Sequence, residues 1–285
     1  MSRPISPSLF AISALAISVS SATVAHAQGK LEARYGVSLA GIPLGSGTWT
    51  VDIQSDQYTA VATGRTTGLV KLIANGSGSG GSRGAVQGTT LVPSGYLSNT
   101  VSEKRTDDVR LTLRAGVVKE VFAEPPLELS PDRVPVTEAH RKGVVDPMTA
   151  MLMPAAGAGE MLTPEACKRK IAVFDGRART DLELVFKRMD HVKADKGYQG
   201  PVVVCVVLYQ PISGHRPERS AIKYLIAQRE MEMWLAPIAG TRVLVPFRFS
   251  VPTPFGLGLL QATYFVASPQ PVQAARQVPA AAKTQ

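Results

Sequence analysis

LEARYGVSLAGIPLGSGTWTVDI, residues 31–53, decides the fold class. Leu31, Ala33, Tyr35, Val37 and Leu39 alternate with Glu32, Arg34 and Ser38, the period-two pattern of a half-buried strand. Gly41-Ile42-Pro43-Leu44-Gly45 turns the chain, and Trp49, Val51 and Ile53 repeat the alternation against Thr48, Thr50 and Asp52. Two such runs around a Gly/Pro turn predict an antiparallel hairpin.

The same grammar recurs downstream. Strands are expected at Tyr58–Thr63, Gly95–Ser102, Val109–Arg114, Val117–Phe122, Ile171–Phe174, Ala178–Arg188, Val202–Tyr209, Lys223–Leu235, Thr241–Ser250 and Gly258–Val266. Val243, Val245, Phe247 and Phe249 read as one face of a single strand. Thr67–Ala74 reads as a short helix, and Asn75–Gly84 (NGSGSGGSRG), with too little side chain to pack, as a mobile loop. Asp146-Pro147 opens a short helix over Met148–Met153, with Asp146 as N-cap and proline in the first turn. Its three methionines are read as gap-filling core, with a ligand-facing surface as the alternative. Four prolines make Pro125–Pro135 a surface crossing. About ten or eleven short strands with two or three short helices predict an all-β, mainly antiparallel fold, either a curved open sheet or a half-barrel or barrel.

Composition sets the class and the address. The 285 residues are 45% hydrophobic and 19% charged with 25 Gly and 21 Pro, a turn-rich globular composition. Residues 1–27 carry Arg3, an apolar run over Leu9–Val24 and Ala25-His26-Ala27, the pattern of a cleaved export signal. That divides the chain into a signal at 1–27, a single β-rich domain at 28–267 and an unstructured tail at 268–285, and predicts a protein free in the periplasm, or secreted, without a stable membrane anchor. Losing Arg3 takes 31 cations to 30 against 22 acids, so the net charge falls from +9 to +8. The cations are scattered and lack interleaved aromatics, which argues against nucleic acid; the charge excess is read first as solubilising, with anionic lipid or cell-wall polymer as the alternative counterpart.

Cys167 and Cys205 are the two cysteines, and in an oxidising compartment such a pair is expected to form a disulfide. The glycine run lacks the Gly-Lys-Ser/Thr of a phosphate loop. Ser220-Ala221-Ile222-Lys223 matches S-x-x-K without its companion elements. His140, His191 and His215 stand apart in sequence, so neither a metal nor a cofactor is expected.

Tyr35-x-Val37-x-Leu39-Ala40-Gly41-Ile42-Pro43-Leu44-Gly45, Asp146-Pro147-Met148-Thr149-Ala150, Phe174-Asp175-Gly176-Arg177, Cys205 and Pro211-Ile212-Ser213-Gly214 come in an order and spacing that carry a resemblance. Over residues 31–267 the chain resembles the exported bacterial proteins grouped as domain-of-unknown-function family 3108. The resemblance implies an exported, predominantly β protein of Gram-negative bacteria, and brings no activity or catalytic residues.

The leading functional expectation is a non-enzymatic binder or carrier of an apolar or lipid-like envelope ligand, held on the concave side of the sheet. Tyr224, Met231, Met233, Trp234, Phe247, Phe249 and Tyr264 are the candidate lining residues. The second reading is an envelope scaffold that contacts a protein partner through a strand edge. A cell-envelope hydrolase using Ser220 and Lys223 is the third.

Overall fold

The computed structural model describes residues 28–68, 75–128 and 130–270, so the expectations for residues 1–27, 69–74 and 271–285 lie outside the described residues. The described residues form fifteen strands: β1 (Gly29–Leu39), β2 (Ile42–Ile53), β3 (Gln57–Thr66), β4 (Gly76–Gln87), β5 (Thr90–Ser102), β6 (Thr106–Arg114), β7 (Val117–Glu124), β8 (Met153–Pro154), β9 (Arg169–Phe174), β10 (Arg179–Lys193), β11 (Lys196–Gly197), β12 (Gln199–Ser213), β13 (Glu232–Pro237), β14 (Val243–Thr253) and β15 (Gly256–Pro269). Two short helices, α1 (Pro147–Ala150) and α2 (Ser220–Ala227), interrupt them. The sheet runs β7-β6-β5-β4-β3-β2-β1-β15-β14-β13-β12-β10-β9, so the first strand lies beside the last. Every pairing along this path is antiparallel.

The curved sheet remains open between its edge strands β7 and β9, and the segment Lys142–Val145 spans them. Lys142 bridges to Val117 and Val145 to Val173. Val145 donates its N–H to the Ala172 carbonyl at 2.9 Å and accepts from Phe174 N–H at 2.9 Å. Val109, Leu111 and Leu113 of β6 pack with Val118, Val144 and Phe174 beneath this span.

From there the chain turns inward, held by Asp146. The Asp146 carboxylate is fully buried; one oxygen accepts from Met148 N–H and Thr149 N–H, each at 2.9 Å. The other accepts from Thr149 Oγ1 at 2.6 Å and Ser82 Oγ at 3.0 Å. Tyr58 OH reaches Thr149 Oγ1 at 2.7 Å, so α1 is tied to β3 and β4 through side chains alone. Burial pushes the Asp146 carboxyl above its ordinary range, opposed by these hydrogen bonds to the ionised form.

Within Asn75–Gly84, expected as a mobile loop, residues 76–84 are β-strand. They form most of β4, paired with β3 on one side and β5 on the other. Ladder hydrogen bonds supply what its side chains do not, and the missing side chains have steric uses. A Cβ on Gly84 would stand 2.2 Å from the Val92 carbonyl oxygen and 2.6 Å from the Tyr58 ring. A Cβ on Gly80 would stand 3.7 Å from Met148 Cε, so β4 passes close beneath α1.

Lys223–Leu235 also departs from the single expected strand: it is divided between α2 and β13. The run Val202–Leu208 is continuously apolar because the β12–β14 layer is buried on both faces. Val202, Val204, Ala236, Val245 and Phe247 join one core cluster, and Val203, Cys205, Val207, Met233 and Leu235 a second. Cys167 and Cys205 are joined by a disulfide across 38 residues of sequence, which fastens the 3-10 turn Pro164–Cys167 over the second cluster.

Two stability measurements follow. Asp146→Ala is expected to cost about 2–4 kcal/mol in urea unfolding, because it removes an N-cap and leaves buried hydroxyls without their acceptor. Cys167→Ser with Cys205→Ser is expected to cost about 3–4 kcal/mol from restored loop entropy in the unfolded chain. Titration of the unreduced, unfolded wild type should find no free thiol.

Candidate functional site

The alternating side chains of β1–β4 on the concave face change size along the strands. At one end Leu31, Val51, Ile53 and Tyr58 fill the interior and are buried almost completely. Toward the other, register partners become small: Trp49 faces Ala62, Gly47 faces Gly64, and Ala62 and Gly64 face Gly80 and Gly78 on β4. A filled core therefore gives way to an apolar cavity of about 830 Å³. Tyr35, Val37, Trp49 and Gly64 line one wall, and Leu182, Val207, Met233 and Phe249 the opposite one. Met148 and Met151 border it from the α1 segment, and Leu225 of α2 and Met231 complete it. Thr48, Thr63 and Arg65, which alternate with the inward Trp49, Ala62 and Gly64, are exposed on the outer face of this wall.

Polar chemistry in this wall is sparse. The Tyr35 hydroxyl is consumed by the Pro246 carbonyl at 2.8 Å, and burial pushes its pKa well above the usual phenol range. Trp49 is 7% exposed, and its indole N–H has no hydrogen-bond partner among the described residues. Buried indole N–H groups ordinarily find an acceptor, so Trp49 is a buried polar group of the wall with unused capacity. A second concavity of about 820 Å³, at the β2–β3, β4–β5 and β6–β7 turns, has a more polar lining that includes Asp56, Gln57 and Arg114.

Of the seven aromatic and methionine candidates, Met231, Met233 and Phe249 line the cavity. Phe247 does not, because β14 carries a β-bulge: Trp234 pairs with Arg248 while Leu235 pairs with Pro246, leaving Phe247 as the extra residue. The bulge places Phe247 in the cluster of Phe265 and Tyr198, with ring centroids 5.4 and 6.3 Å away, while Phe249 turns to the cavity. Trp234 donates its N–H to Asp190 at 2.9 Å and lies between the Arg188 and Arg248 guanidinium groups. That hydrogen bond holds the Asp190 carboxyl below its usual range. Tyr264 lies beneath Arg34 and Lys196, at 5.1 and 5.8 Å from ring centroid to cation. Tyr224 is carried by α2 rather than a strand, and its neighbour Leu225 takes the cavity position.

Ser220 and Lys223 sit one turn apart on α2, exposed, with Lys223 paired to Glu218 at 2.5 Å and no hydrogen bond between serine and lysine. His140, His191 and His215 are not gathered, and no cluster of three or more His, Cys, Asp or Glu suited to a metal occurs among the described residues. The lining residues missed by sequence reading include Tyr35, Trp49 and Gly64. Their signal was present as glycine at successive concave-facing positions, Gly45 and Gly47 on β2 and Gly78 and Gly80 on β4, once the strand register is known.

The family model described as "Protein of unknown function (DUF3108)" matches residues 32–262. No curated protein matches the chain. Among solved structures, the chain is similar to a beta-barrel-like protein of domain of unknown function DUF1849 from Brucella abortus. The TM-score is 0.42 and the identity 9%, covering 86% of this chain and 99% of that one.

The bulge yields a contrast between two phenylalanines separated by one residue. Phe247→Ala, in a closed cluster, is expected to cost about 3–5 kcal/mol in urea unfolding. Phe249→Ala, which enlarges a space already present, is expected to cost less than half as much.

Proposed function

The chain belongs to the DUF3108 family, and from its apolar cavity we propose that it binds or carries a lipid-like ligand with a long hydrocarbon portion, in the periplasm. The observation that carries this reading is the 830 Å³ cavity walled by Val37, Trp49, Met148, Met233, Phe249 and Leu260. Its volume falls within the roughly 300–1,000 Å³ usual for small-molecule sites. Each buried methylene contributes about 0.8 kcal/mol, so on the order of ten of them supply about 8 kcal/mol, equivalent to micromolar affinity before ordering costs. Methionine walls adapt to chains of differing shape, which suits a carrier more than a stereospecific enzyme. The unused Trp49 N–H matches a ligand carbonyl, as in an acyl ester or a fatty acid. Support for the compartment comes from the Cys167–Cys205 disulfide and from the export-signal pattern of residues 1–27.

Gly64→Leu provides the test, since a Cβ at Gly64 meets nothing nearer than the Ser46 carbonyl oxygen at 3.9 Å and the longer side chain enters the cavity. A fluorescent fatty acid should bind the wild type in the micromolar range and the variant at least about tenfold more weakly, with unfolding temperature preserved. Brominated fatty acid should quench Trp49 emission in a Trp234→Phe background. Equal binding by both proteins, or none by either, refutes the reading. A stoichiometric envelope protein captured by crosslinking in place of lipid would favour the scaffold.

A further inference from the structure

The cavity opens beside two hairpin tips that expose large apolar side chains, and these tips are locked together. Ile42 on the β1–β2 turn is 57% exposed; Phe255 and Leu257 on the β14–β15 turn are 79% and 49% exposed. Ala40 N–H donates to the Leu257 carbonyl at 2.9 Å, joining one tip to the other. Thr253 Oγ1 donates to the Gly256 carbonyl at 2.7 Å and accepts from Phe255 N–H at 3.2 Å, which fixes the turn that projects Phe255. Gly256, at φ +112°, lies so close to Ala40 that an added Cβ would stand 2.7 Å from the Ala40 Cβ. A rigid apolar prominence of this kind binds without a large ordering cost. It adjoins the cavity, whose lining includes Leu44 and Val251 on the same two hairpins.

Charge identifies what this prominence meets. The stretches Ala33–Val51, Gln57–Ser102 and Met233–Gln285 contain no aspartate or glutamate, although they supply β14, β15, most of β1 and β2, and all of β3 to β5. Arg34 and Arg65 lie on these acid-free strands, both exposed. Glu232, opposite Ser250 on the adjoining ladder, is engaged by both Lys187 and Arg188. Across the cavity, exposed Arg219 and Arg229 flank α2 without a carboxylate partner among the described residues, beside the Lys223–Glu218 pair and exposed Glu230. An apolar tip in a cationic, carboxylate-poor field is complementary to an anionic lipid surface, where hydrocarbon lies under phosphate.

We propose that the β1–β2 and β14–β15 tips dock this protein on an anionic phospholipid bilayer, with the cavity held beside the membrane. The geometry stands without the ligand reading, and the two are separable by experiment. Vesicles of phosphatidylcholine alone, and of roughly three parts phosphatidylcholine to one part phosphatidylglycerol, are sedimented with wild type and with Ile42→Asp/Phe255→Asp. Wild type should partition to the anionic vesicles, weakly to the neutral ones, and lose the difference at high salt. The variant should bind at least about tenfold more weakly, from two lost apolar anchors and two added like charges, while keeping its unfolding temperature and its affinity for soluble fatty acid. Undiminished vesicle binding by the variant, or wild-type binding indifferent to phosphatidylglycerol, overturns the proposal. So does a concentration-dependent dimer that the variant abolishes, which would assign the tips to a second copy. Loss of fatty-acid binding in Gly64→Leu with vesicle binding intact separates the cavity from the docking surface.

Discussion

The Asp146 carboxylate is the point on which the interior depends. An isolated carboxylate is costly to bury, and this one is tolerated because four donors converge on its two oxygens. Those donors come from α1 and from β4, so satisfying the charge also fixes an otherwise four-residue helix inside a curved sheet. An isolated helix of that length has no stability of its own. Once Asp146 is seated, the preceding Lys142–Val145 is placed to bridge the two sheet edges, and Met148 and Met151 are placed against the cavity. One polar knot thus joins closure of the fold to the shape of the proposed binding space.

Where the interior is filled and where it is empty follows from side-chain size on a shared register. The same alternation that packs Leu31, Val51 and Tyr58 continues into Gly47, Gly64 and Gly78, and backbone pairing persists after packing has ceased. A Cβ on Gly47 would stand 2.6 Å from the Thr63 carbonyl oxygen, but replacing the glycines at 64 and 78 with valine or isoleucine would give more apolar burial and better strand propensity. Their presence withholds stabilisation where the cavity lies, the pattern expected when a site is kept open at the expense of the core. The disulfide strengthens the opposite wall, where Cys205 lies on the same strand as cavity-lining Val207.

Strand identity was legible wherever one face is buried and one wet, as in Leu31–Leu39 and Val109–Arg114. The Asp146 cap and the cysteine pairing were legible because each rests on local chemistry or compartment. Asn75–Gly84 was not, since a glycine-serine strand carries no hydrophobic alternation and is defined by its neighbours' hydrogen bonds. Phe247 and Phe249 were read as one face because a bulge leaves period-two sequence intact while reversing the side chains that follow. Lys223–Leu235 concealed a helix-to-strand change in a run whose apolar spacing fits both periods. The cavity needed register: Gly64 becomes informative only when it is known to face Gly47 and Gly78.

A cavity that holds hydrocarbon faces a kinetic difficulty that its walls alone do not solve. A long chain leaving a bilayer for water exposes each methylene at about 0.8 kcal/mol, so transfer through solvent slows steeply with chain length. The barrier falls if the exit from the bilayer and the entrance to the cavity are contiguous, because fewer methylenes are wet at once. Placing carboxylate-free strands and the exposed Phe255 side chain at the cavity's hairpins satisfies that requirement with a handful of residues. The attraction is also reversible, since a few apolar side chains and screened charges give weak, salt-sensitive adhesion, far from the insertion of a spanning helix. A carrier has to leave the membrane as well as reach it, and a short rigid tip supplies contact without committing the protein to stay.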